Sequence, residues 1–193
     1  MIIYLHGFRS APASNKARTL RQRMEQRGLG HAFWCEQLPH VPARAIALIE
    51  QAIMEARERD PACSPTLVGS SLGGYYATFL AERHTLRAAV INPAVVAPLD
   101  LAPWTGTQTN LYTGEAFEFT MEHIEQLRAL DTGALADPTR YWLLVETGDE
   151  VLDYRHAVEK YRGARQTVLE GGDHGFSRWN DYLDDIIAFA GLD

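Results

Sequence analysis

The stretch TLVGSSLGGYYATFLA at residues 66–81 decides the fold. Residues 66–68 form a short apolar run that predicts a strand, and residues 75–81 predict a helix. Between them, Gly69–Gly73 fits the pattern G-x-S-x-G. A strand, a sharp turn and a helix in this order are the context in which that pattern forms a nucleophile elbow. A glycine-rich turn without chemistry is the alternative, and the rest of the chain must decide between the two.

The elbow makes Ser71 the candidate nucleophile. A serine on such a turn points away from the sheet, and the small residues Gly69 and Gly73 let the strand and the helix approach closely. Leu72 opens the helix, so its amide can donate a hydrogen bond to a developing oxyanion with the helix dipole behind it. We therefore expect one oxyanion-hole donor at the backbone of Leu72.

Apolar runs and amphipathic segments alternate along the rest of the chain. Nearly continuous apolar runs are typical of parallel strands that are buried on both faces. We predict an α/β fold, a mostly parallel sheet with helices on both faces, in a single domain spanning residues 1–193. Further strands are predicted at 2–5, 31–35, 88–91, 141–145 and 166–169, and further helices at 15–27, 43–59, 120–130, 154–161 and 177–190.

Residues 95–137 interrupt this alternation with prolines, glycines and scattered aromatic residues. The segment is too long for a plain loop in a compact domain, so we predict a lid-like insertion. Its side chains Trp104, Phe117 and Phe119 either line a substrate pocket or form the core of the lid itself. The sequence leaves both interpretations open.

Composition limits the possible partners. The formal net charge is −7 and no run of basic residues stands out, which disfavours nucleic-acid binding. No apolar run approaches the roughly 18–20 residues of a membrane span, and no signal peptide is recognisable at residues 1–5, so we expect a cytoplasmic protein. The two cysteines, Cys35 and Cys63, lack metal or redox spacing and are expected to be reduced thiols. No metal or organic cofactor motif is present.

A serine nucleophile needs a base, and the base needs an orienting carboxylate. In one known chain order the serine comes first, then Asp or Glu, then His. Ser71, Asp149 and His174 follow that order, each directly after a predicted strand. We prefer Asp149 to its neighbours because Gly148 makes a tight turn just beyond the strand. The rival carboxylates are Glu146, Glu150 and Asp153, and the rival bases are His6, His123 and His156.

The loop after the first strand, His6-Gly7-Phe8-Arg9, is where a second oxyanion donor belongs. The Phe8 amide is the candidate donor and Arg9 is its rival. Arg9 is also a candidate for substrate binding, as a local cation in an acidic protein. For His6 we favour a structural role that holds the loop by hydrogen bonding.

In these motifs the sequence resembles the α/β-hydrolases, and more narrowly the small bacterial YqiA-type esterases. The segments that carry the resemblance are 4–8, 69–75, 91–94, 147–154 and 171–174, which span nearly the whole chain. The resemblance implies a compact hydrolase fold that lacks the first antiparallel hairpin of larger members.

The resemblance also implies hydrolysis of a small-molecule carboxylic ester or thioester through an acyl-enzyme, with a triad on Ser71, Asp149 and His174. Such a triad needs no cofactor. The same residues would serve an acyltransferase or a small-substrate peptidase. A non-catalytic binding module on the same fold is a third hypothesis, although an intact set of three residues argues against it.

Overall fold

The computed structural model describes residues 1–192, in which eight strands and seven α-helices follow one another. The strands are β1 (Ile2–Leu5), β2 (Phe33–Trp34), β3 (Thr66–Ser70), β4 (Arg87–Ile91), β5 (Gly106–Thr109), β6 (Ala116–Phe119), β7 (Tyr141–Glu146) and β8 (Arg165–Leu169). The helices are α1 (Asn15–Gln26), α2 (Pro42–Arg59), α3 (Leu72–His84), α4 (Ala97–Leu101), α5 (Met121–Arg128), α6 (Tyr154–Lys160) and α7 (Leu183–Phe189).

Six of the strands form one sheet in the order β2-β1-β3-β4-β7-β8, and every neighbouring pair is parallel. The chain first runs from β1 to β2 on one side and then returns to place β3 on the other side of β1. The order of the strands therefore reverses at β1 and β3, and ligands of open α/β sheets bind at such a reversal, outside the carboxyl ends of the strands. The predicted α/β class with a parallel sheet is confirmed.

Side chains of the central strands alternate between two buried cores. On β7, for example, Leu143 packs with α2 and α3, whereas its neighbours Trp142 and Leu144 pack with α1 and α7. Both faces of the sheet are thus covered, which explains why the central strands are apolar at successive positions rather than at alternate ones.

Three elements differ from the sequence expectation. The predicted strand 31–35 is reduced to the two residues of β2, because a 3₁₀ turn over Gly30–Ala32 brings the chain out of α1 to the sheet edge. The predicted helix 177–190 begins only at Leu183, after a 3₁₀ turn over Trp179–Tyr182. The antiparallel hairpin of β5 and β6 was not predicted.

The insertion at residues 95–137 has two structurally different parts. Helix α4 and the β5–β6 hairpin lie on the sheet's carboxyl-end side, where the hairpin turn is hydrogen-bonded to the loop after β1. Helix α5 packs through Ile124 and Leu127 into the same core as Ala97 and Leu101 of α4, and the Tyr75 hydroxyl donates a hydrogen bond to the Leu127 carbonyl oxygen at 3.0 Å. Among residues 1–192, no helix is long and apolar enough to cross a membrane.

Candidate active site

The turn at Ser71 has the backbone geometry of an elbow. Ser71 adopts φ 56° and ψ −122°, a conformation that costs a non-glycine residue about 1–3 kcal/mol and that the surroundings must therefore enforce. Its amide donates to the Ile91 carbonyl oxygen at 3.0 Å, and its carbonyl oxygen accepts from the Ala94 amide at 3.1 Å. A Cβ on Gly73 would overlap the backbone of β1, so only glycine at this position lets the start of α3 lie this close to β1.

The side chains of Ser71, His174 and Asp149 form a continuous hydrogen-bonded series. His174 Nε2 lies 3.1 Å from Ser71 Oγ, and His174 Nδ1 lies 2.8 Å from Asp149 Oδ2. A carboxylate can only accept, so the proton of a neutral His174 resides on Nδ1 and Nε2 is left as the acceptor that faces the hydroxyl. This is the arrangement that a general base needs in order to take a proton from a serine.

Asp149 is held as a buried carboxylate. Its side chain is only 2% exposed, and its Oδ1 accepts from the amides of Val151 and Leu152 at 2.8 and 2.9 Å. Burial alone would raise the pKa of this carboxyl. The hydrogen bonds from His174 and from the two amides outweigh that effect and hold the pKa below its ordinary value.

The three rival carboxylates lie elsewhere. Asp153 caps helix α6 and pairs with Arg155 at 2.6 Å. Glu150 accepts from the backbone amide of His174 at 3.0 Å, not from its ring. Glu146 is fully buried and faces the loop that carries His174.

Glu146 organises that loop, residues 170–178, which we call the histidine loop. One carboxylate oxygen accepts from Arg178 Nε at 2.8 Å, and the other accepts from the amides of Asp173 and Ser177, both at 2.9 Å. Burial alone would raise the pKa of Glu146, but hydrogen bonds from the Arg178 side chain and the loop amides lower it to about 2. Phe176 adopts φ 57°, and its carbonyl oxygen accepts from the Trp179 amide at 3.0 Å, so a tight turn precedes the final helix.

Asn92 is a second support for the same loop. Its Oδ1 accepts from the Glu146 amide at 3.0 Å, and its Nδ2 donates to the carbonyl oxygens of Asp173 and His174 at 3.0 and 3.2 Å. Asn92 thus connects β4, β7 and the histidine loop at the carboxyl end of the sheet. Sequence reasoning missed both supports, although a single carboxylate at the end of the apolar run 141–146 was a usable signal.

The predicted oxyanion donors border the serine. Leu72 is the first residue of α3, so its amide has no acceptor within the helix. Phe8 and Leu72 both line a cavity with Ser71 and His174. Gly7 brings the loop close, because a Cβ there would lie 3.2 Å from the Ser71 Cβ.

His6 holds the loop before Phe8 and does not reach Ser71. Its Nδ1 lies 3.0 Å from the Gly7 carbonyl oxygen, and its Nε2 accepts from the Leu38 amide at 3.0 Å. Burial lowers the pKa of His6, against the opposing effect of the bond to Gly7. A neutral ring with its proton on Nδ1 satisfies both bonds.

The cavity beside Ser71 measures about 440 Å³ and is partly walled by the insertion, through Leu101, Trp104 and Leu111. We call it the lid cavity. Arg9 also lines it; its Nε donates to the Thr109 carbonyl oxygen at 2.9 Å, and its guanidinium lies 5.5 Å from the centre of the Trp104 ring. Arg9 therefore connects the loop after β1 to the insertion.

The other two aromatic candidates are placed differently. Phe117 lines a separate cavity of about 270 Å³, where it stacks on His40 with ring centres 4.7 Å apart. Phe119 takes the second of the two positions that the sequence leaves open: it is 1% exposed and packs against Phe8 with ring centres 4.8 Å apart. It contributes to the core under the hairpin. Within residues 1–192 no three His, Cys, Asp or Glu side chains are grouped as a metal site requires.

Known structures with low sequence identity share this fold. A protein from Agrobacterium vitis S4 is 21% identical with a TM-score of 0.69, over 98% of this chain and 87% of that one. The esterase domain of a Rhodothermus marinus protein is 18% identical with a TM-score of 0.67, over 98% of this chain and 85% of that one. The monoacylglycerol lipase of Paleococcus ferrophilus is 16% identical with a TM-score of 0.68, over 100% and 94%.

These likenesses confirm the α/β-hydrolase fold that the sequence motifs predicted. A family model also matches almost the whole chain, from residue 1 to residue 191. The chain therefore belongs to the family described as Uncharacterised protein family (UPF0227).

Proposed function

We propose that this protein is a serine hydrolase that cleaves carboxylic esters, and thioesters by the same chemistry, through an acyl-enzyme on Ser71. The observation that carries the proposal is the series Ser71 Oγ, His174 ring, Asp149 carboxylate, with separations of 3.1 and 2.8 Å. The esterase domain and the lipase among the similar structures support an ester as the substrate class.

In the first half of the reaction, His174 Nε2 takes the hydroxyl proton as Ser71 Oγ attacks the acyl carbonyl carbon. The carbonyl oxygen becomes negative, and the amides of Phe8 and Leu72 are the proposed donors that stabilise it. The Asp149 carboxylate keeps the ring in its orientation and stabilises the imidazolium. The intermediate then collapses, the bond to the leaving oxygen breaks, and the proton on His174 passes to that oxygen.

In the second half, water replaces the alcohol. His174 takes a proton from the water as its oxygen attacks the acyl-enzyme carbonyl, and the proton returns to Ser71 Oγ when the acid leaves. The lid cavity is the proposed acyl site, because it lies beside Leu72 and is walled by apolar side chains such as Leu101 and Trp104. In this proposal residues 102–118 act as the lid, and α4, Phe119 and α5 belong to the core.

A fluorophosphonate probe tests the proposal. We expect the wild-type protein to be labelled on Ser71 and to hydrolyse short p-nitrophenyl esters, and Ser71→Ala to do neither. Ser70→Ala is the matched control, because Ser70 is adjacent but ends strand β3 and makes no hydrogen bond to His174 among the described residues. Absence of both labelling and hydrolysis in the wild type would refute the proposal.

A further inference from the structure

A second cavity, of about 420 Å³, also reaches Ser71 and His174. Its walls come from the loop after β1, the start of α1, the hairpin turn and the histidine loop, and they carry mainly polar side chains, the Asp173 carboxylate among them. Those that matter here are Ser10, Ser14, Asn15, Lys16 and Tyr112. We call it the Lys16 cavity. The proposed nucleophile and base therefore stand where two cavities of different chemistry meet.

Lys16 is the cation of this cavity. Its Nζ donates to the carbonyl oxygen of Gly175, next to His174, at 2.7 Å. An ammonium group has three donors, and within residues 1–192 no carboxylate lies in ion-pair contact with this one. Two of its N–H groups are therefore available to a ligand.

Burial of Lys16 favours a bound anion, whereas three nearby carboxylates oppose one. Burial lowers its pKa to about 8, against the opposing effect of the carboxylates of Asp173, Asp149 and Glu146. The group is still charged at pH 7 and is half-buried, so a bound anion would stabilise it. Asp149 and Glu146 are already bound to His174 and Arg178, which leaves Asp173 as the exposed carboxylate that competes with a ligand.

We infer that the Lys16 cavity is the leaving-group subsite and that Lys16 binds a carboxylate on the alcohol part of the substrate. The inference rests on the proposed function. His174 must protonate the leaving oxygen, so the alcohol begins within hydrogen-bond reach of His174 and extends into a cavity that this residue borders. The lid cavity takes the acyl group, and the Lys16 cavity is the other cavity that reaches Ser71 and His174.

Two chromogenic butyrate esters test this inference. The ester of 4-hydroxy-3-nitrobenzoate carries a carboxylate on its leaving group, and the ester of 2-nitrophenol lacks it. We expect Lys16→Met to lower the ratio of kcat/KM for the charged ester to that for the neutral ester by roughly 10- to 100-fold, the loss expected for a hydrogen bond to a charged group. Lys16→Arg should retain most of the ratio.

The ratio separates binding from a structural effect. Loss of the bond between Lys16 and Gly175 would lower the rates for both esters alike and leave the ratio unchanged. Arg18→Met removes an exposed charge from the same helix and should also leave the ratio unchanged. A third ester, 2-nitrophenyl hydrogen succinate, carries its carboxylate on the acyl side and should not depend on Lys16.

Two results would overturn the inference while leaving the proposed function intact. They are an unchanged ratio in Lys16→Met, and a Lys16 dependence that appears only with the succinate ester. If the wild type hydrolyses none of the three esters and takes up no fluorophosphonate, the proposed function itself fails, and the leaving-group assignment fails with it.

Discussion

Replacing Glu146 with glutamine tests whether a buried charge fixes the histidine loop. The carboxylate accepts from five donors in Asp173, Ser177 and Arg178, two of which are the Ser177 hydroxyl and the Arg178 guanidinium. Glutamine has the same shape but only one accepting oxygen. Its NH₂ group would face backbone amides or the Arg178 guanidinium, which cannot accept, with only the Ser177 hydroxyl able to do so, and Arg178 would lose its ion pair.

The expected loss of stability follows from the pKa. Glu146 has a reference pKa of 4.5 and a folded-state pKa of about 2. At about 1.4 kcal/mol per pKa unit, this difference corresponds to about 3 kcal/mol in the free energy of unfolding at neutral pH. Breaking a buried ion pair by removing one partner gives a similar estimate of ~3–5 kcal/mol. We expect Glu146→Gln to lower the free energy of unfolding by about this amount at pH 7.

The pH dependence gives a second, independent readout. A carboxyl with a lowered folded-state pKa stabilises the protein fully above its unfolded pKa, here 4.5, and loses that contribution as the pH falls towards 2. The stability difference between wild type and Glu146→Gln should therefore shrink by roughly 1 kcal/mol between pH 6 and pH 3.5. Urea denaturation at several pH values measures it.

Glu150→Gln is the matched control. Glu150 also bonds to the histidine loop, through the His174 amide, but it is exposed and lies in the same turn as Asp149. We expect it to change the free energy of unfolding by less than about 1 kcal/mol. The reasoning is refuted if the free energy of unfolding of Glu146→Gln at pH 7 is within about 1 kcal/mol of the wild-type value. It is also refuted if the difference in free energy of unfolding between the two proteins is the same at pH 6 and pH 3.5.

Three further substitutions address the same end of the sheet. Asp149→Asn should lower kcat by roughly 10³- to 10⁴-fold in a steady-state ester assay, because the His174 tautomer is no longer fixed, whereas unchanged turnover would exclude an orienting role. Asn92→Asp should lower the free energy of unfolding in urea by about 1–3 kcal/mol, because two carbonyl oxygens lose their donor. Gly172→Ala should destabilise the protein more than Gly171→Ala, because both glycines have φ 73° but only at 172 would a Cβ overlap the Glu146 carboxylate. Equal unfolding midpoints for the two variants would contradict this role of Gly172.

The fold class and the grouping of the candidate catalytic residues could be predicted because each depends on a local pattern. Strand ends are visible as the ends of apolar runs, and in a parallel sheet those ends meet at one edge. Ser71, Asp149 and His174 each follow such a run, so their proximity needed no knowledge of tertiary packing. Their catalytic role is still a proposal.

The supports of the site could not be predicted in this way. The role of Glu146 depends on Arg178, which lies 32 residues further along the chain, and on loop amides that have no sequence signature. For Phe119 the sequence leaves a pocket and a core position both open, because an aromatic residue in an insertion looks the same whether it lines a cavity or fills a core. The β5–β6 hairpin is also absent from the sequence prediction. Asn110 and Gly114 in its turn are residue types that favour turns. In the structure, Asn110 Oδ1 accepts a hydrogen bond from the Tyr112 amide at 2.9 Å.

The histidine loop connects these observations. Apart from the buried Phe176, the residues of this loop are exposed or half-buried, so hydrogen bonds from other elements do much to position it. Those bonds come from Asn92 after β4, Glu146 at the end of β7 and Lys16 in α1. Because each acts through a different element, loosening any one of them should displace His174 before the sheet itself unfolds. The position of the proposed base is therefore a property of the whole carboxyl end of the sheet and not of the glycine-rich loop that carries it.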